Sequence, residues 1–140
     1  MKFFLQVLTA LFLLLNSVAF ANDFREDFKI SLKKDEQKKI LVKYANKEKI
    51  FAFRWTLYVN GGLVLLRSYD KFVAQNMLYL NHKNQSVRVV LRNDGSSFYN
   101  PPYFLLKFKA FDSKKNEAKF ELYLYDEKMN VELKFLKNKN

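Results

Sequence analysis

The chain has no cysteine among its 140 residues, and it contains only three glycines, two prolines and one histidine. Without cysteine it can form neither a disulfide nor a thiolate metal site, and a lone histidine cannot complete a structural zinc site. Three glycines are too few for a phosphate-binding loop, and neither a P-loop nor a G-x-G-x-x-G pattern occurs. We therefore expect no bound cofactor and no metal.

Patterns that indicate catalysis are equally scarce. His82 is the only histidine that could activate a serine, and it lies in a polar stretch with no G-x-S-x-G pattern around any serine. The carboxylates are scattered through segments rich in turn formers, where they usually serve turn geometry. The sequence therefore predicts a protein that is not an enzyme, and an unfamiliar catalytic site is the alternative.

Residues 1–21 have the features of a cleavable, helical signal peptide. Lys2 precedes an apolar run from Phe3 to Leu15, and Ala19-Phe20-Ala21 carries small residues at the positions that signal peptidase reads. The run is shorter than the roughly 20 apolar residues that span a bilayer. Because no cysteine follows Ala21, a lipid anchor at that point is excluded. We expect cleavage after Ala21, a periplasmic or extracellular location, and no transmembrane segment in the mature chain.

The formal charge is strongly positive, at +11, with 25 basic and 14 acidic residues. This balance favours anionic partners such as lipid head groups, envelope polysaccharide or an acidic protein. A specific nucleic-acid partner is not expected for an exported protein, although non-specific binding at low salt is. Most of the basic residues are lysine, as is common in proteins of AT-rich Gram-negative bacteria, and lysines on solvated faces need have no binding role.

Apolar and polar residues alternate along most of the remaining chain, and polar turns separate the alternating segments. Alternation with a period of two predicts strands that bury one face. The predicted strands cover residues 28–32, 40–44, 51–59, 63–69, 78–80, 87–91, 103–111, 118–125 and 131–136. Residues 70–76 are read as a helical turn or an irregular edge strand. The pattern predicts one all-β domain at residues 22–140, an antiparallel β-sandwich, with a small β-barrel as the alternative.

The most distinctive stretch is a hairpin, in which residues 51–59 and 63–69 flank Asn60-Gly61-Gly62. Alternation predicts one core face, formed by Phe51, Phe53, Trp55, Leu57 and Val59. With a two-residue turn, the opposite face is mixed and consists of Arg54, Thr56, Tyr58, Leu63, Leu65, Arg67 and Tyr69. A three-residue turn with a bulge would instead place Trp55 with Leu65 and Arg67, because a one-residue slip exchanges the faces.

Residues 87–92 alternate valines with arginines, and Asn93-Asp94-Gly95-Ser96 forms a strong turn signal. This strand and turn resemble those of bacterial immunoglobulin-like sandwich domains, although the Cys, Trp and Cys spacing of antibody domains is absent. The resemblance implies a sandwich rather than a barrel. It implies no function, since a fold does not determine one.

Two groups of residues form the candidate binding surface. The first combines arginines with tyrosines in the predicted central strands: Arg54, Tyr58, Arg67, Tyr69, Arg88 and Arg92. Arginine recognises carboxylate and phosphate in bidentate fashion and packs on aromatic rings. The second lies in and beside the proline-containing loop: Phe98, Tyr99 and Tyr103. The alternatives are that the arginine stems only cover the sheet and that the loop aromatics cap the core.

These observations lead to two functional hypotheses. The first is an exported, non-catalytic β-sandwich protein that binds a protein or an anionic envelope component. The second is a small periplasmic carrier of a lipid-like or apolar anionic ligand, in a β-barrel whose cavity would be lined by Tyr58, Leu65 and Tyr69. The sequence leaves the oligomeric state open.

Overall fold

The computed structural model describes residues 26–92, 101–126 and 130–138, and every regular element in these ranges is a β-strand. The strands are β1 (Glu26–Lys33), β2 (Lys38–Tyr44), β3 (Lys47–Val59), β4 (Gly62–Tyr69), β5 (Phe72–Tyr79), β6 (Ser86–Val90), β7 (Tyr103–Asp112), β8 (Glu117–Tyr125) and β9 (Glu132–Leu136). The all-β prediction is confirmed. The predicted signal peptide and the loop residues Phe98 and Tyr99 lie outside the described residues. No helix that could cross a membrane occurs in the described ranges.

The strands form two antiparallel sheets that share no hydrogen-bonded strand pair within the described residues. Sheet A has four strands in the order β1-β8-β7-β6, and sheet B has five in the order β5-β4-β3-β2-β9. The chain moves between the sheets three times, so β1 joins β8 and β9 joins β2. Both sheets therefore keep two edges, and the closed barrel that the sequence left as an alternative is wrong.

The two sheets face each other across a shared aromatic interior. Phe51 of β3 lies 5.1 Å from Phe104 of β7, and Phe53 lies 5.6 Å from Phe120 of β8, both measured between ring centroids. Each of these rings is almost fully buried. Burying a side chain of this size contributes roughly 1.5–3 kcal/mol, so these alternating positions supply much of the folding free energy.

Trp55 is also buried in this interior, and its polar atom has a hydrogen-bond partner. Its indole N–H donates a buried hydrogen bond of 2.7 Å to the carbonyl of Leu32 on β1. Its ring meets Phe111 of β7 edge to face at 5.5 Å. This bond links β1 of sheet A to the central strand of sheet B. Breaking it would leave a buried donor unpaired, which costs about 1–3 kcal/mol.

The turn of the β3–β4 hairpin has two residues, and a β-bulge lies within β3. Asn60 and Gly61 have φ values of 51° and 76°, as a type I′ turn requires. Trp55 pairs with Leu65 and Leu57 pairs with Val64, so Thr56 between them is the extra residue of the bulge. A bulge adds one residue to one strand and so exchanges the faces beyond it.

The bulge corrects the predicted core face. Phe51, Phe53 and Trp55 are buried as expected, but Leu57 and Val59 are 48% and 47% exposed. The prediction for those two residues is wrong because they follow the bulge and point away from the interior.

The bulge also divides the predicted mixed face. Leu63, Leu65 and Tyr69 are buried in the interior, and Tyr58 stacks on Phe111 with centroids 3.9 Å apart. Arg54 is opposite Leu66, and Phe53 is opposite Arg67. Opposed residues share a face of the sheet and consecutive residues alternate between faces, so Arg54 and Arg67 lie on opposite faces of sheet B. The prediction of a single Arg54/Arg67 face is therefore wrong.

Residues 70–76 form no helical turn. Asp70 and Lys71 make a two-residue turn in which Asp70 has a φ of 55°. A regular edge strand follows from Phe72 to Tyr79, paired with β4 along its whole length. The prediction of an edge strand is confirmed, and the helical alternative is wrong.

The sheet edges meet in two flanks. On the β1/β9 flank, Phe28 and Phe135 pack edge to face with centroids 4.8 Å apart. On the β5/β6 flank, a turn joins the two edge strands, and the Tyr79 N–H donates to the Asn84 carbonyl at 3.1 Å. The candidate site lies on the β5/β6 flank.

Candidate functional site: a basic cleft between the sheets

An open cleft of about 500 Å³ lies on the β5/β6 flank. We call it the basic cleft, because four cationic side chains and one carboxylate line it. Its lining residues are Arg67, Tyr69, Asp70, Lys71, Phe72, Arg88, Val89, Val90 and Arg92. They come from the β4–β5 hairpin of sheet B and from β6 of sheet A with Arg92 after it, and only the facing of the sheets brings them together.

Arg67 enters the cleft from the inner face of β4. Its Nε donates a hydrogen bond of 2.8 Å to Oδ1 of Asn76, and its Cζ lies 5.9 Å from the ring centroid of Phe72. Burial lowers the pKa of the Arg67 guanidinium from its ordinary value. The group nevertheless stays charged at neutral pH, because arginine does not deprotonate in proteins. Arg67 is thus a fixed, partly desolvated cation.

Arg88 lies on the outer face of sheet A, at the rim of the cleft, and is supported by aromatic rings. Its Cζ lies 3.9 Å from the ring centroid of Tyr103 on β7. Tyr103 in turn stacks on Tyr125 of β8, with centroids 4.8 Å apart and planes inclined by 24°. A cation–π contact at an exposed site contributes about 0.5–1 kcal/mol. It orients the guanidinium without neutralising its charge.

The charge balance of the cleft favours anions. The one carboxylate of the lining, Asp70, forms an ion pair of 3.2 Å with Lys49 outside the lining. Among the residues that the structure describes, neither Arg67 nor Arg88 is found in an ion pair. Within the described part of the chain, the cleft therefore presents the guanidinium groups of Arg67 and Arg88 outside any ion pair.

The structure brings together part of the predicted binding surface. Arg67, Tyr69, Arg88 and Arg92 all line the cleft, and Tyr103 supports it through Arg88. Arg54 lies on the outer face of sheet B, and Tyr58 belongs to the interior. Phe98 and Tyr99 are outside the described residues. That any of these residues binds a ligand stays a prediction.

Sequence reasoning missed Lys71 and Phe72 as cleft residues and Asn76 as the partner of Arg67. The uncertain interpretation of residues 70–76 is the reason. Asp70-Lys71 between two apolar segments is compatible with a two-residue hairpin turn, and that signal could have placed Phe72 and Asn76 on the same face of one strand.

A second group of ionisable side chains lies on the outer face of sheet A. Burial raises the pKa of Tyr123 to about 12, together with its hydrogen bond to Glu121 and the negative charges of Glu121 and Asp27. Lys109 forms an ion pair of 3.5 Å with Glu121. These groups compensate one another. No cluster of three or more metal-ligating residues occurs in the described part of the chain.

No protein-family model, curated protein or solved structure matches this chain. The geometry of the basic cleft is therefore the basis for assigning a function.

Proposed function

We propose that this chain is an exported, non-catalytic β-sandwich protein that binds an anionic group of an envelope component or of a partner protein in the basic cleft. The observation that carries the proposal is the convergence of Arg67, Arg88 and Arg92 from two sheets. Their segments are separated along the chain, so the convergence is a property of the fold.

The chemistry of the cleft suits phosphate or carboxylate. Guanidinium groups donate two parallel hydrogen bonds to such groups, and a ring behind the guanidinium limits its motion. The volume of about 500 Å³ lies within the usual range for a small-molecule site. A head group or an acidic sugar of that size fits better than a bulky apolar ligand, because four of the nine lining residues are cationic.

The location and the finer fold assignment rest on sequence patterns. The signal-peptide features of residues 1–21 support export, and the net charge of +11 supports an anionic partner. Two facing antiparallel sheets support a β-sandwich. Its immunoglobulin-like character rests on the local resemblance of residues 87–96.

The carrier hypothesis has less support. It required Tyr58, Leu65 and Tyr69 to line a cavity inside a barrel. Leu65 and Tyr69 are instead 0% and 6% exposed within the packed interior, and Tyr58 stacks on Phe111. The geometry therefore favours an external anion site over an internal apolar one.

The test is sedimentation of the purified protein with isolated cell envelope at low ionic strength. We expect the wild-type protein to sediment with the envelope and the double variant Arg88→Glu/Arg92→Glu to lose roughly tenfold or more in affinity, because repulsion replaces two charge-assisted contacts. Thermal unfolding checks that the variant remains folded.

The matched control is Arg54→Glu/Lys39→Glu on the outer face of sheet B, which changes the net charge by the same amount. Both residues are exposed and lie away from the cleft. The control should sediment like the wild type. Equal loss in both variants would mean that general charge, rather than the cleft, causes binding, and the proposal would be wrong.

A further inference from the structure

Strand β5 is the one edge strand of the two sheets, as described, that carries no charged residue. Its sequence is FVAQNMLY, whereas the other edge strands are EDFKISLK in β1, SVRVV in β6 and ELKFL in β9. Charged residues on edge strands prevent pairing with strands of other molecules. The β5 edge lacks that protection.

The hydrogen-bond pattern shows which backbone groups of β5 face outward. The Asp70 N–H, just after β4, donates to the Ile50 carbonyl beside β3 at 3.4 Å. Because the backbone groups of successive residues point to alternate sides of a strand, the even-numbered residues of β4 bond to β3 and the odd-numbered residues bond to β5. Phe72, Ala74, Asn76 and Leu78 then bond to β4, and Val73, Gln75, Met77 and Tyr79 face outward. The Tyr79 N–H accordingly bonds to the turn after β5 rather than to β4.

Three consecutive outward positions are left for a partner strand. Within the described residues, no hydrogen bond satisfies the outward N–H and C=O groups of Val73, Gln75 and Met77. The side chains of Val73 and Met77 are 70% and 44% exposed on the same face of sheet B. The edge thus offers both an unpaired hydrogen-bonding row and apolar side chains.

We propose that β5 pairs in antiparallel fashion with β5 of a second copy of this chain, about a twofold axis at Gln75. In this register, Gln75 lies opposite the partner subunit's Gln75, and Val73 lies opposite the partner subunit's Met77. All of these residues have outward backbone groups, so each opposed pair exchanges two N–H···O=C bonds. The two five-stranded sheets become one continuous sheet.

The pairing is self-complementary, which favours a second copy over an unrelated strand. A twofold interface requires each residue to tolerate its symmetry mate, and β5 brings only uncharged side chains together. Lys71 at the start of the strand lies opposite the partner subunit's Tyr79 rather than opposite another cation. For a chain of net charge +11, an uncharged edge is where two copies approach with the least repulsion.

The first test is sedimentation equilibrium of the purified protein over a range of concentrations. We expect a reversible wild-type dimer and an increase of roughly fivefold or more in the dissociation constant of Gln75→Lys, because two lysines then face each other at the axis. Gln75→Glu should weaken the dimer similarly. An equimolar mixture of the two variants should recover it, since opposite charges then face each other.

The control is Leu57→Lys, which adds the same charge to the outer face of the same sheet on the central strand β3, where the side chain is 48% exposed. It should dimerise like the wild type. A wild-type protein that stays monomeric, or a Gln75→Lys variant that dimerises as tightly as the wild type, would overturn the proposal. A mixture that stays monomeric would overturn the register.

Amide hydrogen exchange tests the register independently. The amides of Val73, Gln75 and Met77 should gain protection as the concentration rises, whereas Ala74 and Asn76, already bonded to β4, should not change. Concentration-independent exchange at all five positions would contradict the pairing.

Discussion

The two flanks of this molecule join the same two sheets with different side chains. On the β1/β9 flank, the rings of Phe28 and Phe135 pack against each other, and Nζ of Lys38 lies 5.2 Å from the Phe135 ring centroid. An open cleft of about 830 Å³ beside these rings includes the carboxylates of Glu26 and Glu132 in its lining. On the β5/β6 flank, the open cleft is lined by arginines instead.

This difference leads us to expect that one flank serves stability and the other serves recognition. Where rings meet between the sheets, apolar burial holds the edges together. On the other flank, Arg67 projects from the inner face of sheet B beside Asn76, and Arg88 lies on the outer face of sheet A over Tyr103, at the rim of the cleft. The first flank should therefore govern the free energy of unfolding, and the second should govern binding.

The largest effect should follow from removing the aromatic contact of the β1/β9 flank. Phe135→Ala removes a partly buried ring that packs against Phe28 and the core, so the free energy of unfolding should fall by about 2 kcal/mol. On the other flank, Arg88→Ala should change it by about 1 kcal/mol or less, the size of the cation–π contact with Tyr103. Urea unfolding of both variants measures the contrast, and equal losses would show that the flanks do not differ in this way.

A smaller effect is expected from a conservative change within the cleft. Arg67→Lys keeps the charge but loses the Nε donor to Asn76 and the planar group over Phe72. Binding to isolated envelope should weaken by about 1 kcal/mol, which is roughly fivefold. Arg54→Lys is the matched control and should bind like the wild type. Undiminished binding by Arg67→Lys would mean that only charge matters at this position.

The smallest effect concerns Tyr123, beside Asp27 and Glu121 on sheet A. Its pKa of about 12 in the folded chain exceeds the value near 10 of an unfolded tyrosine. The neutral phenol is favoured by folding, so this contribution to stability is complete below about pH 10 and is lost as the pH rises through about 12.

Comparison with Tyr123→Phe isolates this contribution from the titration of the lysines. The wild-type protein should lose more unfolding free energy than the variant between about pH 10 and 12. Parallel pH profiles for the two proteins would contradict the raised pKa.

The sequence predicted most strands because alternation depends on local burial. The turn at Asn60-Gly61 was also evident, since both residues tolerate positive φ. The bulge at Thr56 was not, because nothing in the local pattern distinguishes an inserted residue from an ordinary strand position. That single residue sends Leu57 to the surface and divides the predicted face.

The basic cleft could be predicted only in part. The arginines in and beside three predicted strands were recognised as candidates from their chemistry, and four of the residues named do line one cleft. Which arginines meet depends on the order of strands across two sheets, and pairings such as β1 with β8 join distant segments. Arg54 and Arg67 are close in sequence but lie on opposite faces of sheet B, whereas Arg67 and Arg88 are more distant in sequence and line the same cleft.

The central claim is that the cleft, and not the overall charge, recognises anions. A nuclear magnetic resonance titration tests it directly, because the chain has few arginines and their side-chain Nε–H signals can be followed singly. Glycerol phosphate and galacturonate serve as the phosphate and carboxylate probes, with glycerol and galactose as uncharged controls. Saturable shifts at Arg67, Arg88 and Arg92 with an unmoved Arg54 are the predicted result. Shifts of equal size at Arg54, or none at the three cleft arginines with either anion, would contradict the account.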